Sequence, residues 1–351
     1  MLKIINKDAL DELAEVLGKG IYEGYTLERI QREAPDFHFY LKENHEVLAC
    51  CSIWIHTNMI DEKGVRAGAI GHFEACNEDS AKIVLMEACN KLKEVGEAYV
   101  IGPIDGSTWN SYRLVTHSDG SMPFLMEPKY KRGYSQWLEN IGFKPTYQYF
   151  STKETIERVV EETTKANQNE INQSKLEQSE LELNELDQSI NEKQRLLEIK
   201  TIKLTQLEEA LDKIYEISIQ SFKSNLFYKP IEREAFKAMY RGYQQFLVEE
   251  LVLIAEKAGR PVGFIFAVPN YFDQTRRSVI IKTIAVLPEY QQEGIGKKLY
   301  QEITNKALNL GFTEFITALI YKGNHSQKLC ESAKMMREYT LFRKELNNEL
   351  S

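Results

Sequence analysis

The chain repeats itself. On either side of a polar stretch, two segments run through the same succession of hairpin, strand, helix, strand, helix and strand. The first reads FHFYLKENHEVLACCSIWIH (37–56), AGAIGHFEA (67–75), a helix, EAYVIGPI (97–104) and YSQWLENIGFKPTYQYF (134–150). The second reads LVLIAEKAGRPVGFIFAVPN (251–270), SVIIKTIAVLP (278–288), a helix, TEFITALI (313–320) and HSQKLCESAKMMREYTLF (325–342). Runs such as VIIKTIAV and FITAL are rich in β-branched residues, as buried strands should be. A repeat of about 150 residues is a duplicated domain rather than a solenoid unit. In a chain of 351 residues two domains are also the natural expectation. Each copy is expected to be α/β (α+β), with a mixed, mostly antiparallel sheet flanked by helices.

The copies are separated by a segment, about 154 to 194, with no Gly, Pro or aromatic residue and much Glu, Gln, Asn and Ser. Leu176, Leu183, Ile190 and Leu197 fall seven apart, while Ser179 and Lys193 interrupt the other seam around Leu186. This predicts a long polar helix or helical pair, with a dimerising coiled coil or a flexible polar linker as alternatives. The expected division is therefore 1–152, a linker over 153–196, and 197–351. A homodimer would form through the linker.

Charge and cysteine usage exclude several classes. A net charge of −8 argues against a nucleic-acid binder, which usually presents a basic face; it mildly favours a cationic acceptor. No apolar run approaches the roughly 18 residues that span a bilayer, so no membrane partner is expected. MLKIINKDALDELAEVLG is too acidic for a signal peptide. The five cysteines (Cys50, Cys51, Cys76, Cys89, Cys330) fit no zinc template. They read as reduced thiols in a cytoplasmic protein without a metal.

The stretch that carries chemistry is QQEGIGKK (291–298). A Walker A loop would need Gly at 291 and Ser or Thr at 298, where Gln291 and Lys298 stand. A dinucleotide fingerprint would need Gly where Leu299 stands. What remains is a strand, a tight turn and a helix whose Ile295, Leu299, Ile303, Ala307 and Leu310 share a face and which Gly311 ends. Glycines at a helix start let backbone N–H groups approach a diphosphate, and the helix dipole favours the anion. Lys297 and Lys298 add positive charge. The plainer alternative is a tight strand-to-helix turn.

The run IAVLPEYQQEGIGKKLYQEITNKAL, with the Q-x-x-G-x-G pattern after a strand, resembles the acetyl-coenzyme A signature of the GNAT superfamily of acetyltransferases. TEFITALI, Asn324 and HSQKLCESAKMM resemble the second half of that cofactor site, and the likeness covers roughly 197–346. It implies two GNAT-like domains, the second active. Backbone groups of Ile284, Ala285 and Val286 would pair with the pantetheine arm. Gln291, Gln292, Glu293, Gly294, Ile295, Gly296 and Lys297 would hold the pyrophosphate. Asn324 would bind the cofactor arm. The reaction implied is direct acetyl transfer from acetyl-CoA to a primary amine on a small molecule or a protein, with proximity supplied by binding. A backbone N–H near Val286 would polarise the thioester. An acid and a base would complete the chemistry.

Cys330 stands where many members of that family carry an acidic tyrosine, and a thiol suits the role poorly. Tyr339 is the substitute candidate, with His325 a further one. Glu249 and Glu250 read as a solvated pair more readily than as a base. Asn270, Tyr271 and Asp273, just before the cofactor strand, are the candidates for binding the amine. In the first copy the matching turn is CNEDSAK, which has no glycine; its Glu78 and Asp79 would repel a diphosphate while Ser80 caps a helix. The first copy is thus expected to have lost the cofactor loop. GPIDGSTWNSYRL (102–114) is either a loop between domains or a wall of the acceptor pocket, with Trp109, Asn110 and Arg113 as its functional candidates. A non-catalytic acyl-CoA-binding or scaffold protein on the same fold is the alternative function.

Overall fold

The computed structural model describes residues 1–129, 131–161, 197–275, 277–324, 327, 330 and 333–346. The first copy contributes β1 (Leu2–Asn6), α1 (Leu27–Glu33), β2 (Phe37–Glu43), β3 (Glu46–Trp54), β4 (Gly68–Ala75), α2 (Glu78–Glu94), β5 (Tyr99–Gly102), β6 (Leu114–Ser118), α3 (Tyr134–Asn140) and β7 (Lys144–Thr155). The second contributes β8 (Leu197–Thr201), α4 (Leu207–Ser221), α5 (Arg233–Arg241), β9 (Val252–Lys257), β10 (Arg260–Pro269), β11 (Ser278–Val286), α6 (Ile295–Asn309), β12 (Glu314–Tyr321) and β13 (Lys334–Glu345). The expected mixed, mostly antiparallel sheet flanked by helices is present, and only β4–β5 and β11–β12 pair in parallel among the described residues. Each parallel pair is joined through a helix, α2 or α6, because a parallel pair needs a long crossover.

The strands form one sheet in the order β1-β2-β3-β4-β5-β13-β7-β12-β11-β10-β9-β8, with β6 also paired to β13. The copies therefore exchange their last strands. β13 lies against β5 of the first copy, with Phe342 opposite Gly102, and β7 lies against β12 of the second, with Glu314 opposite Thr155. The two exchanged strands pair with each other at the centre. Polar contacts fix the exchange. Arg343 on β13 pairs with Asp61 at 3.0 Å and lies 3.6 Å over the Tyr99 ring. Tyr300 on α6 donates to Glu154 on β7 at 3.1 Å. Residues 153–155, assigned from sequence to the linker, thus belong to β7, and 156–161 continue as helix. The rest of the expected linker, 162–196, with its heptad leucines up to position 190, lies outside the described residues.

The helices divide between the two faces. Ala81, Val84, Leu85, Ala88 and Leu92 of α2 fill one core in the first copy. In the second, Ile295, Leu299, Ile303 and Ala307 of α6 pack on one face with Ile281 and Val286, at the spacing read from sequence. Leu310 instead caps the helix and is exposed, and Gly311 follows at φ +83°. The opposite face carries α4 and α5, through Leu211, Ile214 and Phe236, against Ile280 and Ala285. Among the described residues no helix is long and apolar enough to cross a membrane.

Candidate functional site

In the second copy the sheet opens in the middle of β11. Its parallel pairing with β12 runs from Ser278 opposite Glu314 to Ile281 opposite Thr317 and ends there. Beyond that point β11 keeps only β10, with Ile284 opposite Ile265, Ala285 opposite Phe264 and Val286 opposite Gly263. β12 turns to β7. Lys282 is the extra residue of a bulge, since Phe266 faces Thr283 and the next residue, Ala267, faces Ile281. Bulges bend a strand and end pairing. The edge of 284–286 that faces away from β10 is left without a partner strand among the described residues, at the spacing an added extended chain needs.

The turn after β11 is built to present amides. Gln291 Nε2 donates to the Val286 carbonyl at 3.2 Å, and Ser221 Oγ, at the end of α4, donates to the same oxygen at 3.1 Å. Glu289 is held by Arg260 at 2.9 Å and Glu293 by Lys257 at 2.5 Å, so the acidic side chains of the turn are tied to the strands. Gly294 then takes φ +73°, a left-handed conformation that glycine adopts without strain. No side chain caps the start of α6. Its first-turn N–H groups have no intrahelical acceptor, and with the helix dipole they form an anion site. Asn324 sits in the turn after β12, its N–H donating to Tyr321 O at 3.0 Å.

The first copy shows the same opening closed by its own chain. β4 and β5 pair only through Gly68–Val100 and Ala69–Ile101. Past that point the Ile104 N–H donates to Ile70 O at 2.8 Å, and the His72 N–H donates to Asp105 Oδ1 at 2.6 Å. Gly71 permits the approach, since a Cβ there would overlap the Ile104 carbonyl. The start of α2 is also taken, with Asn77 Oδ1 accepting from the Ser80 N–H at 2.9 Å. Asp105 is further fixed by Arg29 at 2.8 Å, Arg29 pairs with Glu33 at 3.1 Å, and Glu33 meets His72 Nε2 at 2.5 Å. Ligand atoms of Glu33, His72 and Asp105 lie within 4.8 Å of one another, but Arg29 already balances both carboxylates.

The comparisons agree with this geometry. The family model described as "Acetyltransferase (GNAT) family" matches residues 211–332. Those residues are a GNAT acetyltransferase domain. Among solved structures, the chain is similar to a GCN5-related N-acetyltransferase from Anabaena variabilis, at 9% identity and TM-score 0.52, covering 99% of this chain and 73% of that one. It is similarly related to a conserved protein of unknown function from Enterococcus faecalis, described as a probable N-acyltransferase, at 9% identity and TM-score 0.51, covering 99% and 72%. Both likenesses are of fold. No curated protein matches the sequence.

The remaining sequence-chosen residues of the GNAT domain and its surroundings fall in distinct places. Tyr339 is fully buried on β13; its hydroxyl donates to Glu127 Oε1 at 2.6 Å and lies 3.1 Å from Ser151 Oγ. Burial, and then the Glu127 charge, raise its pKa far above that of a free phenol. Cys330 is buried, its thiol 3.5 Å from Gln327 O. His325 lies outside the described residues. Asn270 is buried; its side-chain oxygen accepts from the Leu125 N–H at 3.4 Å and its amide nitrogen donates to Ser278 Oγ at 3.3 Å. Tyr271 is exposed and donates to Phe246 O. Asp273 accepts from Thr275, Arg277 and Ser278 within its own turn. Partial burial opposes its ionisation, but those bonds prevail and hold its pKa down to about 2. Asn270 and Asp273 thus shape the loop, and the acceptor atoms of Asp273 are spent there. Glu249 closes the turn before α4 by accepting from the Leu204 N–H at 2.6 Å.

Trp109 joins the copies. Its indole N–H donates to Lys229 O at 2.8 Å and its ring packs on Phe222, Tyr228 and Phe236. Asn110 secures its own loop through Asp105 O at 2.7 Å. Two residues at the opening are not evident from sequence. Glu127 bridges Tyr339 and Arg337, the latter at 3.2 Å. Lys282 is signalled only by being the lone charge inside VIIKTIAV.

Proposed function

We propose that the chain is an acetyl-CoA dependent N-acetyltransferase in which the second copy holds the cofactor and the first is a degenerate GNAT-like domain. The observation that carries this reading is the contrast between the copies. β11 and α6 offer an unpaired strand edge beside an uncapped helix start, whereas β4 and α2 fill both positions with Ile104, Asp105 and Asn77. The residues fit the cofactor. The edge at 284–286 would pair with the pantetheine amides, the amides of 294–297 would hold the pyrophosphate, and Asn324 would bind the arm. An acceptor amine enters from the α4–α5 face and attacks the thioester carbonyl. The C–N bond forms, the C–S bond breaks, coenzyme A leaves as the thiolate with the C–S electron pair and takes up a proton, and the amine proton passes to a base. A division into two domains, with the boundary after β7 and before Leu197, and pairing of two chains through the linker, belong to this proposal, as does a cytoplasmic setting.

Acetyl-CoA should raise the melting temperature of the purified protein, because a ligand bound only to the native state stabilises it. Free-thiol release should follow on adding an amine from a panel of amino acids, polyamines, aminoglycosides and peptides. No stabilisation at saturating acetyl-CoA would sink the proposal. Stabilisation without thiol release on any amine favours a cofactor-binding scaffold, a reading supported by the commitment of Tyr339 to Glu127 and by the burial of Cys330.

A further inference from the structure

Two cations near the opening of the sheet, Arg113 and Lys282, form no ion pair among the described residues. Tyr339, under Arg113, meets Ser151 Oγ at 3.1 Å, and that oxygen accepts from the Leu319 N–H at 2.9 Å on β12, the strand that β11 leaves just before Lys282. Arg113, just before β6, is 6% exposed, and its Nε and Nη1 have no hydrogen-bond partner among the described residues. Its guanidinium lies on aromatic faces, 4.0 Å from the Tyr112 centroid, 4.4 Å from Tyr149 and 5.8 Å from Tyr339. Aromatic faces attract a cation but leave its N–H donors unsatisfied. Lys282, on the bulge of β11, is half-buried and forms no ion pair among the described residues. Burial first, and then the charge of Arg113, push its pKa down to about 8.

The carboxylates around this cluster are committed. Glu127 takes Tyr339 at 2.6 Å and Arg337 at 3.2 Å, Asp119 takes Arg337 at 2.7 Å, and Glu62 accepts from Tyr321 at 3.2 Å. A buried charge left unpaired is strongly unfavourable, and two like charges together are worse. Such an arrangement is relieved by a ligand that offers acceptors to the open Arg113 donors, and a guanidinium with an ammonium near the same opening suits a carboxylate.

The side of entry identifies the molecule that brings it. The uncapped start of α6 and its core with Ile281 and Val286 lie on one face of the sheet. The loop of Arg113 covers the other, where Trp109 packs on Phe236 of α5 and Ala285 joins the α4–α5 core. We propose that Arg113 and Lys282 form a carboxylate-binding subsite for the acceptor, so that the amine acetylated here belongs to a molecule with a free carboxylate, such as an amino acid. The Arg113 half of the subsite then comes from the copy that lacks the cofactor loop. This rests on the acyl-transfer reading above.

The test compares free L-amino acids with their carboxamides as acceptors, using full-length wild type, Lys282→Met and Arg113→Gln. Thermal shift with acetyl-CoA is measured in parallel on each. The free acid should be favoured by about 10- to 100-fold in kcat/KM, the range for a charged hydrogen-bonding partner, and both variants should shrink that ratio to within about 3-fold. If Arg113→Gln fails to fold, Lys282→Met decides alone. Loss of the acetyl-CoA shift in wild type would overturn the acyl-CoA reading itself. A retained shift with equal use of acids and carboxamides overturns only the subsite. If no amine is turned over, the same pairs are compared by thermal shift with coenzyme A present, and a shift that does not distinguish them also overturns it. In a final arm, succinyl-CoA replaces acetyl-CoA with neutral amines. A preference for succinyl-CoA that Lys282→Met erases would place the carboxylate on the donor and overturn the acceptor assignment.

Discussion

The backbone N–H of His72 donates to Asp105 Oδ1 at 2.6 Å, across the strand edge that its counterpart in the second copy leaves open. The strand edge of the first segment is thus closed where that of the second is open, and the closure depends on a missing side chain. A Cβ at Gly71 would overlap the Ile104 carbonyl and crowd Asp105. Gly71→Ala should therefore destabilise the protein by about 1–3 kcal/mol, the usual cost of overpacking, while the acetyl-CoA thermal shift persists. A urea midpoint equal to wild type would show that the plug is not tightly packed.

At the open end the decisive glycine is Gly294. At φ +73° a β-branched residue is strained by roughly 1–3 kcal/mol and would move the following amides. Gly294→Val should abolish the acetyl-CoA shift. Gly296 is different, because a Cβ there meets only ordinary contacts, 3.8 Å from Val286 and 4.0 Å from Ile284. Gly296→Ala should raise the melting temperature of the unliganded protein, since Ala in a helix is favoured over Gly by about 0.5–1 kcal/mol. A Gly294→Val protein that still responds to acetyl-CoA would remove the turn from the binding site.

Much of this is legible in the sequence for a physical reason. Period-two and helical patterns are local, so the shared succession of hairpin, strand, helix and strand and the α6 face from Ile295 to Ala307 can be read directly, while the helix expected between β12 and β13 lies largely outside the described residues. The contrast between QQEGIGKK and CNEDSAK is local too, since one offers glycines and the other capping residues, although the cap is Asn77, accepting from the Ser80 N–H, and not Ser80 itself. The strand exchange is not legible. The alternation in β7 and β13 is satisfied equally against either copy, and the choice rests on distant contacts such as Arg343 with Asp61 and Tyr300 with Glu154. Lys282 is hidden in the same way, because its meaning comes from Arg113, far away in the chain.

Trp109 is the side chain by which the first copy grips the second. Trp109→Ala would leave a hole among Phe222, Tyr228 and Phe236 and orphan the Lys229 carbonyl. The expected loss is about 3–5 kcal/mol by chemical denaturation. A loss under about 1 kcal/mol would mean that the copies cohere through the exchanged strands alone.

For Tyr339 the geometry points to stability more than to proton donation. Its proton is held by Glu127 at 2.6 Å inside the core. Tyr339→Phe should cost about 1–3 kcal/mol by leaving a buried carboxylate short of a donor. Turnover should fall by less than about 10-fold, below the usual contribution of a general acid. If turnover instead falls by about two orders of magnitude or more while stability is unchanged, Tyr339 is restored as the acid that protonates the leaving thiolate.

Lys282 should give the unliganded protein a measurable pH dependence. Its folded-state pKa is lowered from 10.5 to about 8, by burial and then by Arg113. Below pH 8 the ammonium is charged in both states, and the native state carries the full penalty of holding it. Between pH 8 and about 10.5 the unfolded chain binds a proton that the native state has released, so this group makes stability rise with pH across that window. Lys282→Met removes the penalty. It should stabilise the unliganded protein at pH 7 by roughly 2–4 kcal/mol, with the gain shrinking steadily from pH 8 to 10.5. Melting curves of wild type and variant at several pH values test this. Parallel curves across the window would show that the ammonium is well solvated in the folded state.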